Sequence, residues 1–167
     1  MTSDSSTSVL IIIFCIIFSG YFSATETAFS SLNRIRIKNM AEKGDKRAKL
    51  VLDMLENFDS LLSSILIGNN IVNIACASVA TVLFVKLLGE EQGPSAATLV
   101  ITIVVLICGE VTPKSIAKEN PEKFAKLDHT NYYKYVTDLI GIRVFFLYRE
   151  DWIHFHRYIT SSSHGRR

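Results

Sequence analysis

The sequence is poor in the residues that build disulfide-held, zinc-bound or nucleic-acid-binding proteins. Its three cysteines, Cys15, Cys76 and Cys108, lie in separate apolar blocks with no CxxC or other ligand spacing. That argues against a disulfide scaffold or a cysteine zinc site and predicts three buried free thiols. The formal net charge is only +2, too small a surplus to argue for nucleic acid. There is no internal repeat, phosphate-binding loop, dinucleotide-binding glycine pattern or nucleophile elbow. No nucleophile–base pair stands out, so the sequence is not read as an enzyme. The pair His154 and His156 is weak ground for a metal site.

Charge is missing most conspicuously from long stretches. Residues 60–85 carry none, nor do residues 94–109, and the first apolar block is uncharged from Ser5 to Thr25. About 20 apolar residues cross a bilayer core, so each stretch predicts a transmembrane helix. Residues 1–8 contain Asp4 but no Lys or Arg, unlike the basic start of a signal peptide, and the first block is expected to be a retained span.

Where charge is present, it sorts by side. The segment 34–49 holds Arg34, Arg36, Lys38, Lys43, Lys46, Arg47 and Lys49 against Glu42 and Asp45, and Gly44-Asp45 interrupts it. Seven basic residues in a short connection place it in the cytoplasm. Residues 48–58 put Leu50, Val51, Met54, Leu55 and Phe58 on one helical face, which predicts an amphipathic helix lying in the membrane interface. The turn 86–94 has one Lys and two Glu and is expected outside, while Lys114, Lys118, Lys123 and Lys126 fall inside. The N-terminus is then outside. The expected fold class is an all-α integral membrane protein, with three transmembrane helices plus amphipathic juxtamembrane helices. Beyond residue 127, the stretch 136–148 reads as an interfacial helix or a poor fourth crossing, and the tail to Arg167 as disordered.

Three places in the spans carry polar groups that lipid does not tolerate. Ser23 and Glu26 are three apart on one helix face; the alternative is hydroxyls satisfying their own helix carbonyls, with Glu26 merely interfacial. Asn69, Asn70 and Asn73 follow Gly68 in the second span, either as interhelical hydrogen-bond glue or as a binding site. Glu110 ends the third apolar run between Gly109 and Pro113. It either faces a cation with loosened carbonyls beside it, or simply leaves the membrane. The balance favours a site for the amide cluster and the interfacial role for Glu26.

The segments Ser19-Gly-Tyr-Phe-Ser-Ala-Thr-Glu-Thr-Ala28, Leu66-Ile-Gly-Asn-Asn-Ile-Val-Asn73 and Gly109-Glu-Val-Thr-Pro-Lys-Ser-Ile-Ala117 together resemble the transmembrane domain of the CNNM/CorC magnesium transporter family. The match covers roughly residues 8–127. The resemblance implies three membrane helices and a homodimer in the plasma membrane. It also implies export of Mg²⁺, coupled to Na⁺ entry in bacterial members. Carried over, Ser23, Asn70 or Asn73, the Gly109 carbonyl and Glu110 are the implied Mg²⁺ ligands, with Pro113 as the kink that exposes carbonyls. The domain is expected to span residues 1–127, with 128–167 a divergent juxtamembrane segment and tail. The nucleotide-binding CBS pair and C-terminal domain of the family do not fit into those last residues. The alternative function is a non-transporting membrane subunit that dimerises with full-length relatives.

Overall fold

A computed structural model describes residues 3–126, and within them every regular element is helical. The elements are α1 (Ser3–Ser31), α2 (Arg34–Glu42), α3 (Lys46–Glu56), α4 (Phe58–Val104), a π-helical segment (Val105–Val111), α5 (Thr112–Glu119) and α6 (Pro121–Ala125). Two helical stretches are long and apolar enough to cross a membrane, Ser5–Ser31 and Phe58–Glu119. The expectations for 136–148 and for the tail lie outside the described residues.

The second stretch is not one straight rod. Gly89 has φ +85° and ψ 172° inside α4, a left-handed conformation that glycine adopts without the clash a Cβ brings. A Cβ on Gly93 would lie 2.6 Å from the Cα of Val85 and 2.8 Å from its nitrogen. In a straight helix those residues stand about 12 Å apart, at about 1.5 Å per residue. The chain therefore doubles back at Gly89 into two arms, 58–88 and 90–104. Within the short turn expected over 86–94, only Gly89 leaves helical geometry, because the missing Gly93 side chain lets the arms touch at once. Pro94 lies within the first turns of the second arm, and its missing N–H leaves the carbonyl of residue 90 without its helical donor.

The arms pack on α1 in opposite senses. Phe22 lies against Gly68, Ser19 bonds Asn69, and Ile12 and Cys15 share a cluster with Cys76, Ala80 and Leu83. As the α1 numbers fall the α4 numbers rise, so α1 and the first arm are antiparallel. The second arm and its continuation run parallel to α1. Ile12 shares a cluster with Ile101, Ser19 and Gly20 meet Gly109 and Cys108, and Ala24 and Ala28 pack with Ala117. Large apolar side chains on the outer faces, among them Ile13, Phe14, Ile17, Ile74, Leu99 and Ile103, are exposed, as lipid-facing residues are.

At the end of the bundle remote from Gly89, α2 and α3 form a hairpin. Asn33 caps α2 by accepting from Arg36 N–H at 3.1 Å. Gly44, at φ +92°, turns the chain, and Asp45 caps α3 by accepting from Arg47 and Ala48 N–H. The apolar face of α3, expected to lie in the membrane interface, is instead inside the protein. Ala48, Val51, Met54 and Leu55 are buried in one cluster with Ile37, Phe29 and Leu61. Period alone cannot say whether an apolar stripe meets lipid or a neighbouring helix, and here α2 supplies the neighbour. Two ion pairs fasten α6 and its C-cap to this hairpin, Arg36 to Glu122 at 3.2 Å and Lys126 to Asp45 at 3.0 Å.

Candidate cation site

The polar residues of the three motifs meet at one depth in the bundle. Ser19 is fully buried, and its hydroxyl donates to Asn69 Oδ1 at 3.1 Å, joining α1 to the first arm of α4. A Cβ on Gly109 would stand 2.9 Å from Ser19 Oγ, so the π-helical segment reaches the same hydroxyl from the other side. Ser19, Asn69 and Gly109 thus form one layer. Glycine at 109 is what lets the π-helical segment come this close.

Two buried oxygens flanking this layer have no hydrogen-bond partner among the described residues, Ser23 Oγ and Asn73 Oδ1. Ser23 follows Ser19 by one turn of α1, and Asn73 follows Asn69 by one turn of α4. Because those helices are antiparallel, the two residues lie on opposite sides of the layer. Side chains in a helix lean towards its N-terminus, so the Ser23 hydroxyl and the Asn73 amide both lean back towards the Ser19–Asn69 bond. The hydroxyl could have satisfied itself on its own helix. Thr25 does so, donating to Tyr21 O at 2.8 Å, as does Ser64 to Ser60 O. Ser23 does not. A buried oxygen left without a partner costs about 1–3 kcal/mol, and two on either side of one layer need an explanation.

The backbone adds acceptors at the same level. The N–H of Thr112 donates to Ile107 O, five residues back, and Pro113 has no N–H. The Cys108 carbonyl therefore loses its α-helical donor to Ile107 and its π-helical donor to proline. The Gly109 carbonyl loses its α-helical donor as well. Glu110 follows directly, half-buried, and among the described residues no ion pair or hydrogen bond engages its carboxylate.

Glu26, partly exposed, is held in an ion pair. Lys114 donates to its Oε2 at 3.1 Å, tying α5 to α1. Asn70 is exposed and Asn69 is the amide that meets α1; a shift of one residue turns an amide through about 100°, and sequence spacing did not separate the two. Cys15 and Cys76 are buried, but Cys108, expected to be buried, is exposed. It lines an apolar groove of about 480 Å³ with Gly20, Pro113 and Ile116. Sequence reasoning missed Ser19 and the Cys108 carbonyl. Only the Ser19-x-x-x-Ser23 spacing could have flagged the first, and no pattern flags a π turn.

No three His, Cys, Asp or Glu side chains converge among the described residues. The donor set is neutral oxygens with one carboxylate, which suits a hard cation rather than zinc or copper.

Comparison with known proteins finds relatives over the segment that holds the three motifs. The model of the cyclin M transmembrane N-terminal domain matches residues 10–127. A UPF0053 protein of Haemophilus influenzae is 43% identical over 118 residues, covering 71% of this chain and 28% of the relative. The UPF0053 inner membrane protein YfjD of Escherichia coli is 46% identical over 107 residues, covering 64% of this chain and 25% of the relative. A chloroplastic DUF21 domain-containing protein of Arabidopsis thaliana is 36% identical over 110 residues, 65% of this chain and 16% of the relative. The chain spans about a quarter of the length of these two bacterial relatives. With the family model covering all three polar motifs, the chain belongs to the cyclin M (CNNM) transmembrane-domain family of membrane proteins.

Proposed function

We propose that the chain moves a hard divalent cation, Mg²⁺ in the first place, across a membrane through the layer around Ser19, Asn69 and Gly109. The observation that supports this best is the pair of orphaned buried oxygens, Ser23 Oγ and Asn73 Oδ1, flanking a helix segment with freed carbonyls. In this reading Ser23, Asn73, the Cys108 and Gly109 carbonyls and Glu110 supply oxygen ligands. Mg²⁺ binds oxygen at about 2.0–2.1 Å and usually keeps several waters, so waters complete the set. One carboxylate leaves the ion with residual positive charge, which favours release as well as binding. Asn70, exposed beside Ile71 and Ile74, fits a helix–helix contact better than a ligand role, and we assign it to a homodimer interface.

In the same reading the membrane is crossed three times, by α1, by 58–88 and by 90–119. The basic hairpin lies in the cytoplasm and the N-terminus outside, in the plasma membrane. Transport is coupled to Na⁺.

The test is Mg²⁺ flux into liposomes holding the purified chain, together with Mg²⁺-dependent thermal protection. Glu110→Gln keeps the shape but removes the charge. A unit charge about 4 Å away is worth roughly 4 kcal/mol at an effective dielectric of about 20, and desolvation offsets much of this. The expected outcome is loss of flux and of protection, with Ser23→Ala weakening both to a lesser degree. Wild-type protection without flux identifies a non-transporting subunit instead, and undiminished flux in Glu110→Gln overturns the site.

A further inference from the structure

The α2–α3 hairpin carries a surface that the cation site does not use. Arg34, Arg36, Lys38, Lys43, Lys46, Arg47 and Lys49 are all exposed, against Glu42 and Asp45 in the same segment. Asp45 is already engaged by Lys126 at 3.0 Å, while Arg36 reaches Glu122 and Arg34 lies 5.8 Å from the centre of the Phe58 ring. Lys38, Lys43, Lys46 and Lys49 have no ion-pair partner among the described residues.

Amid these charges stands Ile35, 73% exposed, more than any other large apolar side chain described. It lies two residues from Ile37, which is fully buried; two residues turn a helix by about 200°, so α2 is apolar on two opposite faces. One face makes the core of the hairpin. The other meets nothing among the described residues, and Lys38, one turn on, shares it.

The position of α2 decides what covers that face. Ile37 packs in one cluster with Phe22, Leu61 and Ile65, which are residues of the membrane-crossing stretches themselves. The helix begins three residues after Ser31, the end of α1. It therefore lies against the ends of the spans, at the height of the bilayer boundary. A helix there, with an apolar side chain outward and lysines around it, has the chemistry of a bilayer-surface contact: apolar groups enter the acyl boundary while ammonium groups reach the phosphates.

We propose that the outward face of α2, centred on Ile35 and sharing its helix with Lys38 and, at the C-cap, Lys43, binds anionic phospholipid headgroups with Ile35 inserted among the acyl chains, the exposed Lys46 and Lys49 of the adjoining α3 adding to the basic charge of the hairpin. The surface selects lipid by charge and holds the hairpin at a fixed height beneath the bundle. This rests on the membrane placement of α1 and α4 and stands whether or not the chain transports a cation.

The test uses the full chain with Trp152, the one native tryptophan, replaced by Phe and a reporter introduced by Ile35→Trp. The protein is placed in nanodiscs of phosphatidylcholine alone, or of phosphatidylcholine and phosphatidylglycerol in equal parts. The reporter is expected to emit to the blue of a water-exposed tryptophan and to be quenched by lipids brominated on their acyl chains. Native mass spectrometry of the Ile35 parent should show phosphatidylglycerol retained in preference to phosphatidylcholine. That preference should fall about fivefold for each lysine removed among Lys38→Gln, Lys43→Gln and Lys46→Gln, since one basic side chain near an anionic surface contributes about that factor, and should weaken in high salt. The melting temperature of these variants in the neutral discs should stay unchanged, which separates lost lipid contact from lost folding.

A red-shifted, unquenched reporter in both discs overturns insertion. Equal retention of the two lipids, unchanged by the lysine substitutions, overturns the selection by charge. If the reporter becomes shielded only when a separate acidic protein is added, the surface is a protein-docking face and the proposal fails.

Discussion

Substituting Gly109 by alanine tests how the three polar motifs are joined. The new methyl would lie 2.9 Å from Ser19 Oγ and 3.3 Å from Ser19 Cβ, the first distance shorter than a Cβ tolerates. Ser19 is buried on all sides, so the easiest relief is rotation of its hydroxyl away from Asn69, which breaks the 3.1 Å hydrogen bond. Interhelical hydrogen bonds in membranes contribute about 0.6 kcal/mol on average and up to about 1.7 kcal/mol. Overpacking of a tight contact adds about 1–3 kcal/mol. Gly109→Ala should therefore destabilise the bundle by roughly 1.5–4 kcal/mol, and Ser19→Ala by roughly 0.5–2 kcal/mol. The two changes should not add, because removing the hydroxyl opens space for the new methyl. In the Ser19→Ala background the alanine at 109 should lose most of the clash, leaving only the 3.3 Å approach to Cβ. The assay is unfolding of all four proteins in one mild detergent or bilayer, read as a double-mutant cycle. Costs that simply sum, with a coupling within error of zero, would refute the claim that Gly109 presses on the Ser19 hydroxyl.

The hairpin at Gly89 makes a second, sharper demand. Gly93→Ala drives a methyl into the backbone of Val85 and Phe84, where only splaying of the two arms gives relief. Gly68→Ala meets the rim of the Phe22 ring at 2.7 Å, which rotation about the side chain eases. Thermal unfolding should therefore rank Gly93→Ala well below Gly68→Ala; the reverse order is incompatible with arms in backbone contact at Gly93. Outside the bundle, the hydrogen bond from Lys126 and then the N–H of Ala48 hold the Asp45 carboxyl below its ordinary value. A depressed carboxyl stabilises the fold above its unfolded value of about 3.9 and loses that contribution as pH falls through the lowered one. The difference in melting temperature between wild type and Asp45→Asn should accordingly shrink below about pH 4, and a difference constant from neutral to acid pH would show that the Lys126 contact is idle.

Length, hydropathy and charge in the sequence were enough to establish helices of membrane-crossing length, their approximate limits and a basic connection between them. Those properties follow from the chain alone: backbone groups in lipid must satisfy themselves, so an uncharged run of sufficient length has one regular conformation open to it. Gly44-Asp45 was likewise legible as a break, since its dihedral and capping demands are local. The candidate polar residues were legible as residue types, because amides and carboxylates inside apolar runs stand out wherever they face.

Facing itself was not legible. Whether Asn69 or Asn70 meets α1 depends on the register between two helices whose contact is set by Gly68 against Phe22 and Gly109 against Ser19. The stripe on α3 had the right period for a membrane surface, yet its partner is α2, a segment whose basic residues hid Ile37. Cys108 was placed among buried thiols by its apolar neighbours, but the small surfaces of Gly20 and Pro113 leave it open to a groove. The orphaned oxygens of Ser23 and Asn73, and the carbonyls freed where the π turn runs into Pro113, exist only after the arms double back at Gly89. They depend on which donor reaches which acceptor across helices, and sequence spacing within one helix carries no information about that.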